Sequence, residues 1–164
     1  MHFLILSFVL YLAIKKAKWN NWEQYYPTML YMSLASFIYE YISHTYYHLW
    51  ELETGPFISH MNVHFLHNLV INPLIAFIFL SNYPTLPLKK FLYILRWVLI
   101  FFVGEWIGRI TEILTYHHGW NLAWSLLFIT IMFPMIRFHF IYPIRALLLS
   151  VFFVVFFLKI FRYI

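Results

Sequence analysis

Five of the nine histidines and three of the six acids fall at steps of three, four or seven residues inside long apolar stretches. Glu40, His44 and His48 follow one another at four-residue intervals, with Ser33 and Ser36 ahead of them. His60, His64, His67 and Asn68 form a second run, with Asn72 at its margin, and Glu105, Arg109 and Glu112 form a third. Steps of three and four place side chains on one face of a helix. Imidazole and carboxylate groups so arranged suit a transition metal, zinc or iron among others, which would activate water or, for iron, oxygen. His44, His48, His60, His64 and His67 are the candidate ligands. Glu40 is a further ligand or a general base. Glu105, Arg109 and Glu112 would orient the ligands from behind, and Asn68 and His117 complete the pocket.

The same groups admit two other readings. Histidine and glutamate chains relay protons or ions through membranes. Glu105 and Arg109, four apart in the favourable order, are also suited to an ion pair within a packing network that binds no ligand or receives a partner protein. No reading fixes an enzymatic activity. A serine nucleophile lacks its usual Gly-flanked turn, and no phosphate-binding loop is present.

The elements that carry these faces are set by composition. Of 164 residues, 63% are hydrophobic, 24% aromatic and 10% charged, whereas soluble domains carry about 25% charged residues. Lipid is the solvent that accommodates such a surface. Backbone groups in lipid must be satisfied internally, so the fold is helical or a closed barrel. Uninterrupted runs such as Leu122–Ile136 and Ala146–Leu158 lack the alternation of barrel strands. The expectation is an all-α, polytopic membrane bundle of five or six transmembrane helices, forming one domain over residues 1–164. There is no cysteine and no aspartate. The net charge of +5 reads as topology determinants at helix ends, with the lipid bilayer rather than nucleic acid as partner. A homo-oligomer or a membrane protein partner is compatible with so small a chain.

Helix boundaries follow from punctuation. The first helix covers Met1–Lys18, short enough that an interfacial position is an alternative to spanning. Its lysines follow the apolar run, the reverse of a signal peptide, so the segment is read as a retained anchor. The second runs from Pro27 to Trp50, with Trp19, Trp22, Tyr25 and Tyr26 before it as an interfacial belt. The third covers Ile58–Leu80, kinked at Pro73. The fourth covers Leu88–Tyr116, the fifth Trp120–Ile136 and the sixth Ile144–Phe161. His2 and His139 stand alone and read as interfacial. Lys15, Lys16, Lys18, Lys89, Lys90, Arg137 and Arg145 fall on one side of a six-helix arrangement, which is the cytoplasmic side.

Depth then aligns the three polar faces. Counting inward at about 1.5 Å per residue, His48, His60 and Glu112 form an outer layer. His44, His64 and Arg109 lie about 9 Å in, and Glu40, His67 and Glu105 about 15 Å in. This predicts one polar pocket open to the outer face and closing near mid-membrane. Gly104 and Gly108, at small-xxx-small spacing, predict close approach of a neighbouring backbone.

Trp97, Gly104-Glu105-Trp106 and the run Tyr116-His117-His118-Gly119-Trp120-Asn121-Leu122-Ala123-Trp124-Ser125 resemble a family of small multi-pass membrane proteins found mainly in spore-forming bacilli and clostridia. Members have a similar acid in this helix and a similar Gly-Trp turn into the next one. Asn82-Tyr83-Pro84 is similar to their preceding loop. The likeness covers roughly the second half of the chain. It implies a location in a bacterial cytoplasmic membrane and no assigned activity. The histidine faces have no counterpart in it.

Overall fold

The computed structural model describes residues 2–46, 49–52 and 60–162, with the side chains of residues 43–46, 52 and 60 also outside the description. Among these residues the chain is all-α apart from one short ribbon. Its helices are α1 (His2–Lys16), α2 (Trp22–Tyr46), α3 (His60–Leu66), α4 (Asn72–Ser81), α5 (Pro87–Ile110), α6 (Leu122–Ile141) and α7 (Pro143–Ile160). The ribbon pairs β1 (Trp50–Leu52) with β2 (Leu114–Tyr116), antiparallel, Trp50 opposite Tyr116. Four stretches among the described residues are long and apolar enough to cross a membrane: Met61–Ser81, Pro87–Ile110, Leu122–Ile141 and Pro143–Ile160. The 15 residues of α1 extend only about 22 Å, and the serines, threonines and acids of α2 dilute its apolar character.

The contacts divide the chain into two compact units. The first comprises residues 1–39 and 54–96, the second residues 40–53 and 97–164.

The first unit is built around α4. Every residue from Pro73 to Ser81 is buried, as expected of a helix apolar on all sides. Trp19 and Tyr25 close on Phe77 at 5.1 and 5.4 Å between ring centroids. That contact explains why α2 begins at Trp22, with Pro27 inside it, rather than at Pro27. Tyr25 is a core residue at 5% exposure, while Trp19, Trp22 and Tyr26 are exposed, so of the four aromatics expected in a belt Tyr25 alone turns into the core. Tyr93 donates to the Phe79 carbonyl at 3.0 Å, folding the start of α5 back on α4. Lys18 N–H donates to Ser81 Oγ at 3.1 Å, and Asn82 Nδ2 donates to the Lys16 carbonyl at 3.0 Å. The ends of α1 and α4 therefore lie together. With His2 against His67 at the other end, α1 runs parallel to the α3–α4 stretch.

Between α3 and α4 the helix widens into a π segment, His67–Ile71. The Asn72 N–H reaches the His67 carbonyl, five residues back. Pro73 has no N–H to give the carbonyl four residues before it. The discontinuity expected at Pro73 thus takes the form of a wide turn just upstream of it.

In the second unit, Asn121 caps α6: its Oδ1 accepts from the N–H groups of Ala123 and Trp124 at 2.9 and 3.2 Å, donors that a helix start otherwise leaves unpaired. Helices α6 and α7 pack as a hairpin, with Trp120 and Trp124 against Phe161 at 5.3 and 5.2 Å. Phe133, fully buried, meets Trp97 and Phe101 at 5.6 and 5.0 Å.

The largest departure from the sequence reading is the end of α5. The helix stops at Ile110 instead of Tyr116. Ile113 N–H bonds the Gly108 carbonyl at 3.0 Å and Glu112 N–H bonds that of Arg109 at 3.2 Å, the Schellman pattern that closes a helix. Glu112 takes the left-handed position, φ 59°, where glycine is usual. The chain then returns as β2. Glu112 is exposed in a turn and is not a further step on the Glu105–Arg109 face, so its place in the outer ligand layer is withdrawn.

Candidate functional site

Each unit carries its own cluster of polar side chains. The residues expected to share one pocket are divided between the units: His64, His67 and Asn68 belong to the first, and Glu40, Glu105, Arg109, Glu112 and His117 to the second. His48 lies outside the described residues, and so do the side chains of His44 and His60. Among the described residues no three His, Asp or Glu side chains gather closely enough to hold a metal ion.

The cluster in the first unit lies where α1, α2 and the π segment meet. His2 Nδ1 and His67 Nε2 stand 3.1 Å apart, their rings edge to face. His2 is 6% exposed, which corrects the reading of it as a solitary interfacial group. His64, one turn before His67, is also buried, as is Asn68 beside it. Asn72 Nδ2 donates to Ser36 Oγ at 3.0 Å and lies 3.5 Å from Asn68 Oδ1. Ser36 of α2 thus meets Asn72, at the margin of the second polar run. Phe37 against Phe65 at 5.9 Å seals one side. Adjacent buried polar groups of this kind are stable only where each finds a partner. His139, in the last turn of α6, is buried at 5% exposure and so is packed against protein.

The cluster in the second unit is centred on Tyr116, carried by β2. Its hydroxyl donates to Glu105 Oε1 at 2.6 Å and lies 3.2 Å from Ser125 Oγ. Trp120 Nε1 donates to the same Ser125 Oγ at 2.7 Å. Arg109 stacks on the Tyr116 ring at 4.6 Å and donates from Nη1 to the Leu114 carbonyl at 3.1 Å. Burial, followed by the bond to Glu105, raises the Tyr116 phenol above its ordinary value, so it remains a donor throughout the physiological range. Glu105 and Arg109 both find partners on the returning strand, where the sequence suggested a pair made along one helix. Gly108 faces Leu114, an added Cβ meeting its Cβ at 3.4 Å. Among the described residues nothing lies within 4 Å of a Cβ added at Gly104, so of the small-residue pair it is Gly108 that receives the chain's own strand. His117 is exposed, with Nε2 3.2 Å from Thr115 Oγ1.

Sequence reasoning missed Ser125 and Tyr116 as network members and His2 as a partner of His67. The first two stand in the Tyr116–Ser125 run, where only the backward turn after Ile110 brings them to Glu105. His2 carries no periodic partner of its own on α1. The chain matches no protein-family profile, no curated protein and no solved structure.

Proposed function

We propose that this is a multi-pass protein of a bacterial cytoplasmic membrane, with α1 and α2 joining the four apolar stretches as fifth and sixth spans, and that its histidine face binds a transition metal, zinc or iron. The parallel run of α1 beside α3–α4 supports the six-span count. A helix lying alongside a spanning one is not in the membrane plane, and Lys15–Lys18 then reach the same end as Lys89 and Lys90. Charge on short loops at one end is the usual mark of the cytoplasmic side. The proposed kinship with the small membrane proteins of spore-formers rests on the Gly-Trp turn.

The observation that carries the metal reading is the buried His2–His67 contact at the opening of the π segment, with His64 one turn away. Ionisable groups inside a spanning bundle mark function or a structural pair. Single π turns occur frequently at functional sites. The imidazoles of His2, His64 and His67, all in the first unit, are donors that suit such a metal. Glu105, Arg109 and Glu112 are not needed as its supporting shell, because the first two are engaged with Tyr116 and Leu114.

Elemental analysis of the protein purified in mild detergent tests this reading. About one equivalent of metal in the wild type, lost in a folded His64→Ala, His67→Ala double mutant, is the expected result. Absence of metal after reconstitution with zinc, iron, nickel and copper would refute it. A second reading, a proton pathway, is favoured by the Asn68–Asn72–Ser36 chain, which continues the polar track beyond His67. Proton flux through liposomes that survives metal chelation would support that alternative instead.

A further inference from the structure

His2 is out of place by the rules that govern the rest of α1. The helix is otherwise apolar from Phe3 to Ile14 save for Ser7 and Tyr11, yet His2 is among its three buried residues. An imidazole taken out of water needs a polar partner, and the partner is His67, 65 residues away in the chain.

The height at which the two meet is not left to their own contact. At the far end of α1, Lys18 is bonded to Ser81, and Asn82 to the Lys16 carbonyl. Those bonds fix the register of α1 against the α3–α4 stretch. At the near end, the π segment beginning at His67 shifts the angular position of side chains relative to a plain helix.

A 3.1 Å separation of ring nitrogens suits a hydrogen bond. It is also close to the separation of two imidazole nitrogens on one metal: at about 2.0–2.1 Å from a tetrahedral zinc, two nitrogens stand about 3.3 Å apart. Seating a metal between the two nitrogens therefore requires small ring movements and no repacking of helices.

We propose that His2 and His67 together ligate one divalent transition-metal ion, so that metal binding fastens α1 to the π segment. This rests on the metal-binding reading above and adds to it a ligand from a helix that the periodicity of the histidine faces does not include. Both rings bind as neutral imidazoles: the ring that donates across the pair takes the tautomer with its N–H on the outer nitrogen, which frees the facing lone pair for the metal with no net loss of a proton. The remaining positions fall to water.

The test uses the full chain in mild detergent, loaded with Zn²⁺, with affinity measured by competition against a chromophoric chelator. His2→Ala is expected to weaken binding by more than about 100-fold, beyond the 10–100-fold typical of losing an orienting group. His2→Asp, which restores a ligand, is expected to recover part of it and to alter the visible spectrum of the Co²⁺-loaded protein. Independently of any variant, Zn²⁺ should protect His2 and His67 together from diethylpyrocarbonate in the wild type, read by mass spectrometry. Wild-type protein that binds no Zn²⁺ or Co²⁺ would remove the metal reading and this proposal with it. Wild-type binding that His2→Ala leaves unchanged, with His2 unprotected by metal, would overturn this proposal alone.

Discussion

The two polar clusters use similar residue types to opposite ends. In the second unit, Glu105, Tyr116, Ser125 and Trp120 form a chain in which each hydrogen joins two named atoms, and Arg109 is held by a carbonyl and a ring. It ties a short strand to two helix ends. In the first unit, histidines and asparagines meet across helices at a widened turn, and two ring nitrogens face each other at 3.1 Å. A network whose bonds are all directed at protein atoms is a fastening. A pair of facing imidazole nitrogens is where the metal proposed above would bind. The contrast lies in the partners, since both clusters place ionisable groups among apolar helices.

The comparison breaks first at Ser125, which is 2% exposed and serves both Trp120 and Tyr116. Ser125→Ala leaves the indole N–H without its acceptor and should cost about 1–3 kcal/mol. Unfolding in detergent followed by tryptophan fluorescence measures this, and metal content should not change. Lost metal with unchanged stability would reverse the roles assigned to the clusters.

Tyr116→Phe should cost about 1–2 kcal/mol by stripping Glu105 of its donor. It also carries a pH signature. The folded-state phenol titrates above its unfolded value of about 10. Its contribution is therefore fully present below that unfolded value and is lost as pH rises through the folded one. Wild-type stability should fall above about pH 10, and the Tyr116→Phe variant should show a shallower fall. Equal alkaline slopes in both proteins would show that the phenol is not held by Glu105.

The smallest effect is expected at Ser36→Ala, which removes the hydroxyl that accepts from Asn72. Hydrogen bonds between membrane helices average about 0.6 kcal/mol, so stability should drop by that order. A loss as large as that of Ser125→Ala would mean that the first unit, too, depends on its polar bonds for cohesion.

Much of this was legible from residue order alone. Apolar runs without alternation determine helices in lipid, because no other open structure pairs its own backbone there. The spacing of Ser33 and Ser36 on one helix and of Asn68 with Asn72 at the margin of another marked the polar positions of each, and Ser36 bonds Asn72. The basic residues after the first and third predicted helices marked a common end, where Lys16 and Lys18 indeed lie by Ser81 and Asn82.

Other features were decided only in three dimensions. The stop at Ile110 carries no glycine or proline to announce it. Glu112 takes a left-handed conformation while the returning strand gains a partner in β1. With that turn the expected layer of Glu112 disappears, and Tyr116 arrives at Glu105. The π segment likewise depends on how the chain resolves Pro73. His2 meets His67 only because α1 lies parallel to α3–α4 in a register fixed at its other end. Periodicity reports which residues share a face of one helix. Which face meets which, and where a helix gives way to a turn, depends on contacts between residues far apart in the chain, and local pattern holds no record of those.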